Sequence, residues 1–210
     1  MATTKSIALI ITSTREARIG PSVAALVKSI LENHSDPSGT SLTLVDLVKF
    51  NLPVYDEGCH PAMVPFKAQF QHEHSKAWSA EIKKHDGYVL VIPEYNYSLS
   101  GGTKNAIDYL MNEWKGKPVA VISYGIHGGK HASDTAYEVL SQMGLRVAPT
   151  RPQLGFHDGA GPDMFLAMVG KLGDDTKKQI EGQEAEIAKA WDELKQALTD
   201  KDLYVRPRAW

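Results

Sequence analysis

Short, largely continuous apolar runs recur along the chain: Ile7 to Ile11, Leu42 to Val45, Tyr88 to Ile92 and Val119 to Ile122, with a weaker fifth from Leu145 to Ala148. A half-exposed strand alternates apolar with polar residues. Continuous runs of this length suit strands buried on both faces of a parallel sheet. Between the runs the period becomes helical: Val23, Leu26, Val27, Ile30 and Leu31 share one stripe, with Pro21 in the first turn. Helical patterns also cover Phe66 to Lys84, Thr103 to Met111, Ala132 to Met143 (stopped by Gly144) and Thr176 to Leu198. Strand followed by helix, repeated about five times, predicts an α/β fold: a doubly wound five-stranded parallel sheet with helices on both faces. No repeat or linker divides the chain, so residues 1–199 read as one domain and 200–210 as a tail rich in basic and aromatic residues.

Composition excludes several partners. The net charge is −2 and the lysines and arginines are scattered along the sequence, so they read as solvated surface charge with no nucleic-acid stripe. No apolar run reaches the roughly 18–20 residues that span a bilayer. Arg15 and Glu16 stand where a signal peptide would carry small residues, so the first apolar run reads as a strand. Cys59 is the only cysteine, which rules out an intrachain disulfide and points to a reducing, cytoplasmic setting. It sits beside Asp56 and Glu57, a poor setting for a thiolate.

In a doubly wound sheet, ligands bind beyond the carboxyl ends of the strands, so the loops after the apolar runs are the places to search. The first, "TSTREARIGP", offers the hydroxyls of Ser13 and Thr14 and the charges of Arg15 and Arg18. Ile19 and Gly20 then lead into a helix start. Alone, it is either a polar cap or an anion cradle. It is neither a GxGxxG turn nor a GxxxxGK[ST] loop. The third run ends in Pro93, Glu94, Tyr95, Asn96 and Tyr97, followed by a Gly101-Gly102 pair, which suits a flat aromatic ligand bonded along its edge. The fourth ends in Ser123, Tyr124, Gly125, His127, Gly128 and Gly129, where missing Cβ atoms let backbone N–H groups approach a ligand. A phosphate at one end and a planar heterocycle at the other describe flavin mononucleotide (FMN).

Three segments carry a resemblance. "TSTREARIGPSVAALV", "PEYNYSLSGGTKNAIDYL" and "SYGIHGGKHA" resemble the NADPH-dependent FMN reductase family, from Lys5 to about Pro149. The resemblance implies a flavodoxin-like fold, bound FMN, and NADPH or NADH as co-substrate. It places Ser13, Arg15 and Ile19 or Gly20 on the phosphate. Pro93, Glu94, Tyr95 and Asn96 then lie along the flavin ring, with Tyr124, Gly125, Gly128 and Gly129 at its other edge. It also implies a homodimer or tetramer with the flavin near a subunit interface. Relatives often carry Gly after the Asn of the PEYN segment, and Tyr97 in its place is expected to narrow the pocket over the flavin.

The implied reaction is a ping-pong cycle: a reduced nicotinamide gives hydride to FMN, then a quinone, free flavin or another small acceptor takes its place. No side chain is required as acid or base, and Glu94 reads as a local cap. The alternative is a non-enzymatic flavin-binding electron carrier or redox-responsive interaction protein. A metal site is not expected: His72 and His74 are two apart on a predicted helix, and His127 precedes the helix that would hold His131. His157 and Asp158 read as a polar loop. The irregular segment Leu47 to Pro65 is expected to shape a subunit interface or the substrate mouth.

Overall fold

The computed structural model describes residues 4–34 and 39–205. The basic and aromatic end of the tail, Arg206 to Trp210, lies outside them. The strands are β1 (Ser6–Ile11), β2 (Ser41–Asp46), β3 (Gly87–Tyr95), β4 (Ser98–Leu99), β5 (Pro118–Gly125), β6 (Arg146–Val147) and β7 (Gln153–Gly155). The main sheet runs in the order β2-β1-β3-β5-β6, all parallel, with β7 beside the far end of β5 and β4 folded back antiparallel on β3. The helices are α1 (Gly20–Asn33), α2 (Glu73–Lys83), α3 (Gly101–Asp108), α4 (Lys130–Gln142), α5 (Pro162–Met168), α6 (Asp174–Glu181) and α7 (Glu184–Thr199).

Alternation within the continuous runs builds two cores. Ala8, Ile10, Tyr88, Leu90, Ile92, Val119 and Val121 pack with α2, α3 and α4, around Trp78, Ala106, Ile107 and Leu140. Ile7, Leu9, Ile11, Val89, Val91, Ala120 and Ile122 pack on the other face with α1 and α7, around Val23, Val27, Trp191 and Leu194. The expected helices on both faces are present.

Four expectations change. The second run forms an edge strand in which only Val45 is buried, because among the described residues one side of β2 has no neighbour. The fifth strand is split: β6 and β7 lie along successive parts of β5, separated by Pro149 and Pro152, which have no N–H for the ladder. The last helix breaks at Gly182 and Gln183 into α6 and α7. The expected helix from Phe66 begins only at Glu73. There buried Glu57 accepts the N–H groups of Gln71 (2.8 Å) and His72 (2.9 Å), closing the irregular segment against the helix start.

That carboxylate gives a pH-dependent prediction. Burial alone would raise the Glu57 pKa, but the amides of Gln71 and His72 outweigh it and hold the carboxyl below its usual range. Its stabilisation is therefore complete above the unfolded value of about 4.3 and lost as pH falls through the lower folded value. Glu57→Gln is expected to cost about 1–2 kcal/mol at pH 7. The gap from wild type should close as pH is taken down from about 4.3, as read by urea unfolding. A gap that persists at acid pH would refute the role of the charge.

Candidate functional site

The sheet order reverses between β1 and β3, and the loops beyond their carboxyl ends face a common cleft. A network of hydroxyls fixes this region. Thr12 Oγ1 donates to the carbonyl of Val91 (3.0 Å), and Thr103 Oγ1 donates to the carbonyl of Thr12 (3.2 Å). Ser100 Oγ accepts the N–H of Thr103 (3.1 Å), capping α3. The start of α3 is thereby pinned to the end of β1.

The loop after β1 holds a buried polar atom with no partner. Ser13 Oγ is fully buried and makes no hydrogen bond. At Gly20, the first residue of α1, a Cβ would lie 2.1 Å from Ser13 Oγ and 2.8 Å from the Tyr124 hydroxyl. Both hydroxyls therefore pack close against the Cα of Gly20, in space that any side chain there would need. Burial pushes the Tyr124 phenol well above its ordinary pKa. Tyr124 is thus a neutral donor at physiological pH.

The two arginines separate. Arg15 is exposed and lies over the Tyr95 ring, 3.5 Å from its centroid. Arg18 turns away, forking onto Asp46 at the end of β2 (2.9 and 2.8 Å) and donating to the carbonyl of Ser13 (2.8 Å). The hydrogen-bonded Asp46 raises the guanidinium pKa and neutralises its charge. Arg18 holds the loop to β2.

Glu94 is a cap, as expected: its Oε2 accepts the N–H groups of His131 (2.8 Å) and Ala132 (3.1 Å) at the start of α4. Ser123 Oγ donates to the carbonyl of Gly128 (2.8 Å), folding the glycine loop back on β5. Gly128 and Gly129 have φ of 80° and 74°, the left-handed region that favours glycine.

Two adjoining cavities result. One, about 620 Å3, is lined by Arg15, Arg18, Ile19, Pro93, Glu94, Tyr95, Tyr124 and Gly125 among the expected residues. The other, about 460 Å3, is lined by Thr14, Arg15, Tyr95 and Asn96 with the residues from Ser98 to Gly102. Ser13, Gly20, Tyr97, Ser123, His127, Gly128 and Gly129 line neither. Asn96 and Tyr97 form the left-handed turn between β3 and β4 (φ 50° and 60°), and Tyr97 points out against His131. Tyr97 does not narrow the cleft.

One wall is absent from the sequence reading: Ile126, Phe156 and, from α5, Met164, Ala167 and Met168. Gly161-Pro162 before "DMFLAMV" is the signal that would have found it, since Pro is at home in a helix's first turn. The histidines also differ from expectation. His72 precedes α2 as its cap, so its ring is free to stack on that of His74 (centroids 5.2 Å), and His74 bonds to Asp56 at 3.0 Å. Among the described residues no cluster of ligating side chains could hold a metal ion.

A doubly wound parallel sheet in the order β2-β1-β3-β5-β6, with its cleft at the switch point, is the flavodoxin-like fold. Residues 6–159 match the model of the NADPH-dependent FMN reductases. The NAD(P)H-dependent FMN reductase ntnL of Nectria sp is 48% identical over 91% of this chain and 96% of its own. An NAD(P)H-dependent FMN reductase of Saccharomyces cerevisiae is 36% identical over 67% of this chain and 76% of its own. The flavoenzyme NAD(P)H:(acceptor) oxidoreductase FerB of Paracoccus denitrificans has the same fold, with a TM-score of 0.65 at 22% identity over 92% of this chain and 98% of that one. The chain belongs to the NADPH-dependent FMN reductase family, and it is an oxidoreductase that works with FMN and NAD(P)H.

The residues fit the cofactor. The unpartnered, buried Ser13 hydroxyl is a feature a phosphate-bearing ligand would complete, and the missing Cβ atoms of Gly20 and Gly102 let the Ser13 and Thr14 side chains pack against the starts of α1 and α3.

Proposed function

We propose that one cleft serves both half-reactions in turn, so that the nicotinamide must leave before the acceptor binds. The observation that carries the site assignment is the buried, unpartnered Ser13 hydroxyl beside Gly20. Ser13, Thr14 and Arg15 hold the FMN phosphate. Pro93, Tyr95 and Asn96 line one side of the ring, and Tyr124, Gly125, Gly128 and Gly129 the other. When bound, FMN would supply the redox chemistry that links reduced nicotinamide to the acceptor. The chain's part is placement and electrostatics. Amide donors in the glycine loop would stabilise negative charge on the bound ring, and Tyr124 keeps its proton. Glu94 has both amides of α4 on one oxygen and acts by positioning the strand end. Arg18 and Ile19 shape the loop, with Ile19 buried in the core.

The wall of Phe156, Met164 and Met168 favours planar apolar acceptors, quinones or flavin, and relatives named quinone reductase support that class. It also favours a small-molecule acceptor over electron delivery to a docked protein. The enzyme works in the cytoplasm as a homodimer or tetramer. Exposed Phe165, Leu166 and Val169 next to the cleft support a subunit contact there.

The test is spectroscopic. Purified protein should show flavin absorbance that bleaches within seconds of anaerobic NADPH or NADH addition; flavin that stays oxidised refutes the reductase reading. Arg15→Ala should weaken FMN binding by about 1.5 kcal/mol, roughly tenfold, the low end for a charged hydrogen bond because Arg15 is exposed. Unchanged affinity in a fluorescence titration removes Arg15 from the site.

A further inference from the structure

At the opposite pole from the flavin cleft, a cavity of about 790 Å3 opens where the chain enters β1, β3, β5 and β6. Seven of its lining side chains are cations, six lysines and Arg146, against one carboxylate, Asp86. In a chain of net charge −2 this is a concentration of one sign. The lysines look scattered in sequence; the crossovers of the fold bring them to one end.

Local pairing leaves a surplus. Lys5 is bonded to Asp86 (3.1 Å), Lys84 to Glu81 (2.6 Å), and Lys83 lies 3.8 Å from Glu113. The other four cations have no carboxylate within 4.0 Å among the described residues. Lys115 and Lys201 are exposed. Lys117 and Arg146 sit deeper and have neutral partners. Lys117 Nζ donates to the Tyr88 hydroxyl (2.8 Å) and the carbonyl of Ile82 (3.1 Å). Arg146 donates from Nε to Gly116 (3.0 Å) and from Nη1 to Asp200 (2.8 Å), in both cases to a carbonyl. Desolvation lowers the pKa of both, and more distant carboxylates only oppose it. The carboxyl ends of α2, α4 and α7 converge here and account for part of the pattern, since each carries about half a negative charge. Three half-charges do not balance four unpaired cations. Among the described residues the lining includes no Phe, Tyr or Trp on which a base would stack.

We propose that this cavity is a second anion site, separate from the flavin cleft, that takes a compact polyphosphate group. Lys117 and Arg146 form its floor, and Lys115 and Lys201 its exposed rim. Lysine ammonium groups suit phosphate oxygens approached from several directions, and a triphosphate carries enough charge to meet all four.

The probe is sodium tripolyphosphate, titrated calorimetrically into the FMN-loaded enzyme at constant ionic strength. Saturable binding of one equivalent is expected, with the flavin spectrum unchanged. Lys115→Glu combined with Lys201→Glu alters only exposed side chains and should weaken binding at least 30-fold while flavin bleaching by NADPH persists. ATP in a second arm separates the sources. Equal affinity assigns the site to the triphosphate group itself, and at least tenfold tighter ATP binding assigns it to a nucleotide's phosphate tail. No saturable heat, binding retained by the double variant, or binding only with release of FMN overturns the assignment.

Discussion

Trp78→Ala should lower the free energy of unfolding by about 3–5 kcal/mol, among the largest effects of any single core truncation here. The side chain is 1% exposed and joins three elements. From α2 its indole N–H donates to the carbonyl of Ala106 in α3 (2.9 Å), while its ring meets Phe50 and Trp114 edge-on at 4.9 and 6.0 Å. Removing it leaves a void that the surrounding β-sheet cannot fill by collapsing, and leaves a buried carbonyl without its side-chain donor. The variant's urea midpoint should fall with little change in slope, and its melting temperature should drop by roughly 10 °C. A loss below about 1 kcal/mol would mean that α2 and α3 repack freely. The consequence reaches the flavin cleft, because α3 is the helix whose first turn is pinned to β1 through Thr103 and Thr12.

The apolar runs of β1, β3 and β5 were legible because both faces of each are covered, so burial left no polar alternation to confuse the reading. Pro21 marked α1 correctly for an equally local reason. What the sequence hid was set by tertiary context. The edge position of β2 and the stepping of β6 into β7 depend on which strands are neighbours, which no short window contains. The break between α6 and α7 falls at Gly182, a weak local signal inside a strong amphipathic stripe. His72 and His74 were read on one helix, and a shift of the helix start by a few residues turned non-neighbours into a stacked pair. The three loops of the cleft were legible in composition, but the division of labour within them was not. Arg15 and Arg18 are three residues apart with the same charge, and only Asp46, on a different strand, separates them.

The glycine loop gives the sharpest test of the cleft. Gly129 stands before α4 with φ 74° and ψ 35°, and a Cβ there would lie 3.0 Å from Ser123 Cβ, 3.0 Å from the Tyr124 nitrogen and 3.1 Å from its oxygen. Two of these neighbours are backbone atoms of β5, so the clash is relieved only by moving the strand end itself. Gly129→Ala therefore combines left-handed strain of about 1–2 kcal/mol with overpacking of about 1–3 kcal/mol, together about 2–5 kcal/mol of stability. Gly39→Ala is the control: φ is 64°, but nothing among the described residues lies within 4 Å, so only the strain applies. If the loop from Gly125 to Gly129 lies against the flavin, Gly129→Ala should also weaken FMN binding more than tenfold, whereas Gly39→Ala should leave it unchanged. Equal losses of stability in the two variants would show that the loop yields without disturbing β5. Unchanged FMN affinity in Gly129→Ala would remove this loop from the flavin site, leaving the Ser13 cradle to stand alone.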